Sequence, residues 1–331
     1  MKALLLAGGF GTRLRPLTYT RPKHLLPVAN REHIVHVFDL LQRHGIDDVV
    51  LLTSYLAETF DYLVEAGRAR GLNLEVSQEV EPLGTAGALK NAEAYTGGDT
   101  FLAFNGDVLM DVDLTEVVRF HRDRGAEATI LLTPVEDPSM YGVVPTHDDG
   151  RVQAFIEKPP RDEAPTNLIN AGVYVLEPSV LDRIPDGEVC SIERETFPAL
   201  VVEGARLFAT PSDAYWMDIG TPEKYLQANL DALAGRFPTE GLVLTGDRVA
   251  GAAPDGARVS CSCLGSGVVI GPGAEVTESI LLPGVTVGEG ATVRRSVLGE
   301  GVEVPAGASV DGAAVGDRET IRSGQSPTTR H

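Results

Sequence analysis

The last third of this 331-residue chain repeats itself every 17 residues, and that period constrains the fold more than any other feature of the sequence. Gly256-Ala257-x-Val259 returns as Gly273-Ala274-x-Val276, Gly290-Ala291-x-Val293 and Gly307-Ala308-x-Val310. Between these, Gly267-Val268-x-Ile270 returns as Gly284-Val285-x-Val287 and Gly301-Val302-x-Val304. A third series is Leu264, Leu281, Leu298 and Val315. Three aliphatic positions per period describe a three-sided coil. Each side is a short strand with one inward side chain, and glycine or proline takes the corners. Strands of stacked coils pair at ~4.8 Å, so about four coils make a prism roughly 20 Å tall. The repeat absorbs most of the glycine excess, since 15 of the 36 glycines fall within 246–316.

The stretch Gly235–Leu244 contains Gly, Pro and Thr and precedes the repeat, which puts a domain boundary there. The expected division is 1–235, 236–317 and a polar, aperiodic tail at 318–331 that is read as disordered. Cys263 shares its phase with Ile280 and Val297, so a small apolar role fits it better than half a metal site.

The first 232 residues alternate in a different way. Lys2–Ala7 and Asp48–Thr53 are short apolar runs typical of strands buried on both faces. Between them, Ile34, Val37, Phe38 and Leu41 form a helical stripe within 30–44, with Asn30 as candidate N-cap and Gly45 as stop. Further strands are expected at 74–78, 100–104 and 129–132, and helices near 56–70, 84–95 and 114–124. Asp113 would cap the last of these, with Glu116 completing a capping box. Such alternation implies an α/β domain with a mostly parallel sheet, whose ligands bind at the carboxyl ends of the strands.

Charge narrows the function. The chain has 28 Lys+Arg against 47 Asp+Glu, a net −19, which excludes a general nucleic-acid binder but admits a nucleotide held by a small cationic pocket. Three cysteines suit a reducing compartment. No segment approaches the ~18 apolar residues of a membrane span, and Ala3–Ala7 is shorter than a signal-peptide core. The expectation is a cytoplasmic protein with no membrane partner.

Strand one runs into Leu6-Ala7-Gly8-Gly9-Phe10-Gly11-Thr12-Arg13-Leu14. Leu14 breaks a dinucleotide fingerprint, and no Gly-Lys-Ser/Thr follows for a Walker loop. What remains is a glycine turn whose backbone can approach phosphates, with Arg13 beside it. Arg21-Pro22-Lys23 follows, its backbone fixed by Pro22 and Pro27. Arg13 and Lys23 together suit a triphosphate.

These residues resemble the sugar-phosphate nucleotidyltransferases, the nucleotide-sugar pyrophosphorylases. The resemblance starts at Gly8–Thr18 and Pro22-Lys23 and continues through Pro82–Gly87, Asn105-Gly106-Asp107, Glu157-Lys158-Pro159, Asn170-Ala171-Gly172 and Trp216–Pro222. It implies a Rossmann-like catalytic domain followed by a left-handed β-helix. It also implies in-line attack by a sugar-1-phosphate on the α-phosphorus of an NTP, releasing pyrophosphate. The residues implied at the nucleotide are Leu6, Ala7, Gly8, Gly9, Gly11, Thr12, Arg13, Lys23, Pro82, Gly84, Thr85 and Asp107. Gly142, Glu157, Lys158, Asn170 and Gly172 would hold the sugar phosphate, with Tyr141 and Tyr174 as further lining candidates. Asp107 and Asp218 would hold Mg²⁺, and Arg13, Lys23, Asp107, Lys158 and Asp218 form the catalytic set.

The family's base-reading position falls on Glu79, whose carboxylate suits the N1–H and N2–H₂ donors of guanine. Neighbouring Gln78 would suit UTP or dTTP if it faced inward instead. Together with Ser191-Ile192-Glu193 and Phe197-Pro198, the motifs look most like mannose-1-phosphate guanylyltransferases. The alternatives are glucose-1-phosphate thymidylyl-, uridylyl- or adenylyl transfer, and a non-catalytic regulatory subunit of the same fold. A homo-oligomer is expected, with the β-helix contributing. Acyl transfer by the β-helix is disfavoured, because none of the seven histidines lies in 246–316.

Overall fold

The computed structural model describes residues 1–54, 56–239 and 256–321. Contacts divide the chain into two compact units, Met1–Gly9 with Val37–Trp216, and Phe10–His36 with Met217–His331. No helix among the described residues is long and apolar enough to cross a membrane.

The first unit is built on a nine-stranded sheet. Its strands are β1 (Lys2–Leu6), β2 (Asp48–Thr53), β3 (Asn73–Gln78), β4 (Phe101–Asn105), β5 (Ala128–Pro134), β6 (Gly142–Val143), β7 (Ile156–Glu157), β8 (Leu168–Leu176) and β9 (Leu207–Pro211). The order is β7-β6-β8-β4-β1-β2-β3, with β5 pairing β8 and β9 pairing β5. Strands β4, β1, β2 and β3 run parallel, as the apolar runs predict. In β4, β1 and β2 the side chains are buried on both faces: Leu4, Leu5, Val50, Leu51 and Ala103 are all nearly inaccessible. Strand β8 then joins β4, β5 and β6 antiparallel. Of this half the sequence predicts only β5, at 129–132; β6 and β7 are two residues long and offer no periodicity.

Helices α1 (His33–Arg43), α2 (Asp61–Ala69), α3 (Gly84–Asn91) and α4 (Leu114–Arg124) fall where the stripes place them. Gly45 ends α1 in the left-handed region, at φ 68°. Asp113 caps α4 by accepting from Thr115 N and Glu116 N. Glu116 pairs with Arg119 rather than closing a capping box. Asn30 does not cap α1. It sits at φ 63° in the turn between Pro27–Val28 and Arg31–Glu32, and its Nδ2 donates to Leu264 O at 2.8 Å.

In the second unit the repeat folds as expected, into a left-handed parallel β-helix with three ladders. Val259, Val276, Val293 and Val310 pair in register along one side. Leu264, Leu281, Leu298 and Val315 line the second, and Ile270, Val287 and Val304 the third. Cys263 pairs with Ile280 and is buried, as its phase implies. The corner at Gly267, Gly284 and Gly301 continues at Arg318, also with positive φ, and Ile321 is buried against the apolar column. The periodic structure therefore extends past 317, where the tail was expected to begin. Residues 322–331 lie outside the described residues.

A serine ladder fills another corner. Ser262, Ser279 and Ser296 are fully buried, and each hydroxyl accepts from the backbone N–H one coil on, at Ser279, Ser296 and Ala313. Ser279→Ala removes the acceptor for a buried N–H, so unfolding by denaturant should show a loss of about 1–3 kcal/mol. A loss below about 0.5 kcal/mol would mean that the ladder contributes nothing beyond packing.

Candidate active site

In the sheet unit, β1 delivers the chain to Gly8. Ala7 N bonds to Leu52 O and Gly106 N to Leu6 O, so the sheet holds both edges of the crossing point where the motifs gather. Ser54 Oγ donates to Gly8 O at 2.6 Å. A Cβ on Gly8 would lie 2.8 Å from Ser54 Oγ and 3.0 Å from Glu79 Oε2, so a larger residue there would push those side chains aside. Glu79 is thus the residue turned to the glycine loop, while Gln78 is exposed. Burial raises the pKa of Glu79, and a hydrogen bond from Leu83 N, at 3.0 Å, partly opposes the shift.

Helix α3 starts hard against the segment 188–190. Gly84 has φ 76°, and a Cβ there would meet Cys190 O at 2.6 Å. Ala86 N and Gly87 N both donate to Cys190 O, so these N–H groups are already taken. Thr85 Oγ1 donates to Glu193 Oε2 at 2.7 Å and accepts from Ile192 N. Its hydroxyl thus links α3 to the segment 192–193. Pro82 is exposed beside this turn. Asp107 occupies the half-buried turn after β4.

The sugar-side motifs also converge within this unit. Glu157 on β7 pairs with Gly142 on β6. A Cβ on Gly142 would meet the Phe155 ring at 2.6 Å. Glu157 Oε1 lies 3.6 Å from Lys158 Nζ and 3.5 Å from Arg194 Nη2. Lys158 has φ 50°, a conformation anchored by its N–H to Tyr141 O. Asn170 accepts from Gly172 N and donates to Tyr174 OH at 2.7 Å, at the irregularity where β8 changes register against β5. Tyr174 is fully buried and belongs to the core. Burial raises its pKa, and Glu193 Oε1 accepts from its hydroxyl. Tyr141 packs edge-on against Trp216.

Glu193 ties these elements together. Its carboxylate takes Thr85 and Ser191 on one oxygen and Tyr174 on the other. It lies in the π-helical turn Ile192–Thr196, a geometry often found at functional sites. Its quoted neighbours Ser191 and Ile192 were the available signal.

The second unit carries Arg13 and Lys23. Gly11 has φ 60°, and Thr18 Oγ1 donates to its carbonyl at 2.8 Å. A Cβ on Gly11 would lie 3.4 Å from Lys23 Cβ. Thr12 and Arg13 are exposed in the 3₁₀ turn Thr12–Leu14, and Lys23 opens a second turn, Lys23–Leu25. Arg13 and Asp218 both adjoin Gly220: a Cβ there would be 3.1 Å from Arg13 Nη2 and 3.5 Å from Asp218 Oδ2. Asp218 Oδ1 accepts from Lys224 Nζ at 2.5 Å. Lys224 was not expected from the sequence. It follows the N-cap Thr221 on α5 (Pro222–Leu233), which turns it back toward Asp218.

Carboxylates are the hard oxygen donors that Mg²⁺ prefers, and an ion completing its shell with substrate phosphates and water needs only one or two of them. Asp107 in the first unit and Asp218 in the second are each a carboxylate of that kind. Among the described residues no cluster of three or more His, Cys, Asp or Glu forms a closed metal cage.

Comparison with known proteins identifies relatives over both parts of the chain. Residues 242–326 match the GlmU-like C-terminal hexapeptide family. The chain is 42% identical over 279 residues to a mannose-1-phosphate guanylyltransferase of Mycobacterium tuberculosis, an alignment covering 82% of this chain and 77% of the relative. It is 41% identical over 280 residues to a probable mannose-1-phosphate guanylyltransferase of Oryza sativa, covering 82% and 75%. The crystal structure of HddC from Yersinia pseudotuberculosis complexed with GMP-PN superposes with a TM-score of 0.60 at 28% identity, covering 69% of this chain and 97% of that one. Members of the family generally work with a divalent metal. Residues 2–235 match the family described as nucleotidyl transferase, and the chain belongs to that family.

Proposed function

We propose that the protein is a mannose-1-phosphate guanylyltransferase, joining the GMP moiety of GTP to mannose-1-phosphate and releasing pyrophosphate. The observation that carries the choice of base is Glu79. Its buried carboxylate, rather than the exposed Gln78, is turned to the Gly8 loop. Burial disfavours its charge, and the N1–H and N2–H₂ donors of guanine would restore what burial removes. The names of the relatives and the GMP-PN complex of HddC favour the same base.

The nucleophile needs no activation, because a phosphate monoester with a second pKa near 6 is already largely dianionic at neutral pH. Catalysis then reduces to bringing anions together and neutralising charge in line. In this reading the backbone at Gly8, Gly9 and Gly11 approaches the triphosphate. Arg13 takes the charge that develops on the departing pyrophosphate, and Lys23 holds the α-phosphate region. Lys158 binds the sugar phosphate, while Glu157, Asn170 and the backbone of Gly142 and Gly172 hold the hydroxyls of mannose. Asp107 and Asp218 would hold Mg²⁺, which when bound supplies Lewis-acid neutralisation of phosphate oxygens. Lys224 keeps Asp218 oriented for that task. Residues 1–235 would carry the transfer.

The test is a matrix of GTP, ATP, UTP and dTTP against mannose-1-phosphate and glucose-1-phosphate, read by pyrophosphate release. GTP with mannose-1-phosphate should exceed every other pair by about 100-fold or more in kcat/KM, the scale expected where buried polar groups go unpaired. A higher value for UTP or dTTP with glucose-1-phosphate would refute the assignment.

A further inference from the structure

We propose that Arg21, Asp317 and Glu300 are positioning residues, through which the last coil of the β-helix holds the cationic loop in its working conformation. The proposal rests on the guanylyl-transfer reading for what the loop does, and on the second unit alone for its geometry.

The segment 16–21 lies directly on that coil. Pro16 packs so closely that a Cβ on Gly316 would be 3.0 Å from Pro16 Cβ. Thr20 donates its hydroxyl to Asp317 Oδ2. Arg21 Nη2 donates to Asp317 Oδ2 and to Glu300 Oε2, each at 2.8 Å. The other oxygen of Asp317 accepts from Glu300 N at 2.7 Å, so the carboxylate is fixed by its own coil before it meets the loop. Its side chain is only 8% exposed. Burial opposes its ionisation, but the hydrogen bonds from Thr20, Arg21 and Glu300 N outweigh that and hold its pKa below the ordinary range.

The repeat itself singles out this place. Ser266, Pro283, Glu300 and Asp317 occupy one phase of the 17-residue period. The phase turns acidic only in the coils that meet Arg21. A solvated surface would not need that change, and an arginine mostly withdrawn from water would.

The loop side is equally short of slack. Only Pro22 separates Arg21 from Lys23, and the proline ring fixes φ there. Lys23 packs beside Gly11, whose carbonyl is held by Thr18. A shift at Arg21 therefore reaches Lys23 and the glycine turn across a few stiff residues. Misplacement by about 1 Å at a phosphate-binding group can cost roughly 100-fold in rate.

The experiment uses the full chain and compares the parent with Asp317→Asn, Arg21→Met, the double variant and the charge swap Arg21→Asp/Asp317→Arg. Amide hydrogen exchange is followed over residues 10–26 and 84–96, together with steady-state kinetics. The clamp predicts exchange in 10–26 about fivefold or more faster for Asp317→Asn, with 84–96 unchanged. It predicts kcat lowered about 10- to 100-fold with KM for mannose-1-phosphate within threefold. It also predicts a double variant no worse than either single one, and partial recovery in the swap. Exchange in 10–26 within twofold of the parent overturns the proposal, whatever the activity. A rise shared equally by 84–96 also overturns it, since that is general unfolding. Exchange needs no turnover, so a parent protein inactive on GTP and mannose-1-phosphate refutes the guanylyl reading and leaves the clamp to be judged on exchange alone.

Discussion

Asp107→Asn and Asp218→Asn should each lower kcat for pyrophosphate release by about 100- to 1,000-fold while leaving thermal unfolding nearly unchanged. That is the scale of losing one preorganised charge where negative charge develops. An amide has nearly the shape of a carboxylate but is a poor ligand for a hard dication. Asp107 sits in a half-buried turn at the end of the parallel sheet. Asp218 is flanked by Lys224 and adjoins Gly220 together with Arg13. Removing the Asp218 charge takes away one of the two oxygen donors offered to the ion, so this variant should also weaken binding of the metal alone, measured by calorimetry with nucleotide absent. Chelation by EDTA should reproduce the loss in the parent protein, and added Mg²⁺ should restore it. Turnover that survives both substitutions would refute the assignment of these carboxylates.

The second large effect concerns the base. Glu79→Gln should lower kcat/KM for GTP by about 100-fold, because a carboxylate that accepts two hydrogen bonds is replaced by a group with a single acceptor. The ratio of UTP to GTP turnover should rise, since uracil presents one donor between two acceptors. Folding should not suffer. The glutamine carbonyl can still accept from Leu83 N, and a neutral group escapes the burial penalty that raises the pKa of Glu79. Gln78→Ala, at an exposed position, should stay within about twofold of the parent for every NTP, as surface substitutions usually do. Equal loss for all four NTPs in Glu79→Gln would mean that Glu79 supports the loop and does not read the base.

The sequence made these two residues comparable, and only the fold separated them. A strand alternates its faces, so the motif count could slip by one, whereas the packing of Glu79 against Gly8 admits no such slip. The repeat was legible for the opposite reason. In each coil the side-chain direction is set by position within 17 residues, so aliphatic phase and burial coincide from Val259 to Val315. Short-range signals such as the Asp113 cap and the Gly45 stop were equally readable. Contacts across long separations were not. Asn30 looked like a helix cap because nothing nearby announced its bond to Leu264, 234 residues away. Arg21 finds its acidic partners 279 and 296 residues later. The antiparallel strands β6 and β7 carried no pattern at two residues each, yet they present Gly142 and Glu157. Glu193 stood inside a quoted motif, but its link from Thr85 to Tyr174 exists only in three dimensions.

Phosphorus NMR of GTP and mannose-1-phosphate with catalytic protein and Mg²⁺ follows every phosphate at once. The predicted result is loss of both substrates in step with equal growth of GDP-mannose and pyrophosphate. Release of orthophosphate with mannose-1-phosphate untouched, or no change in either substrate, would contradict it.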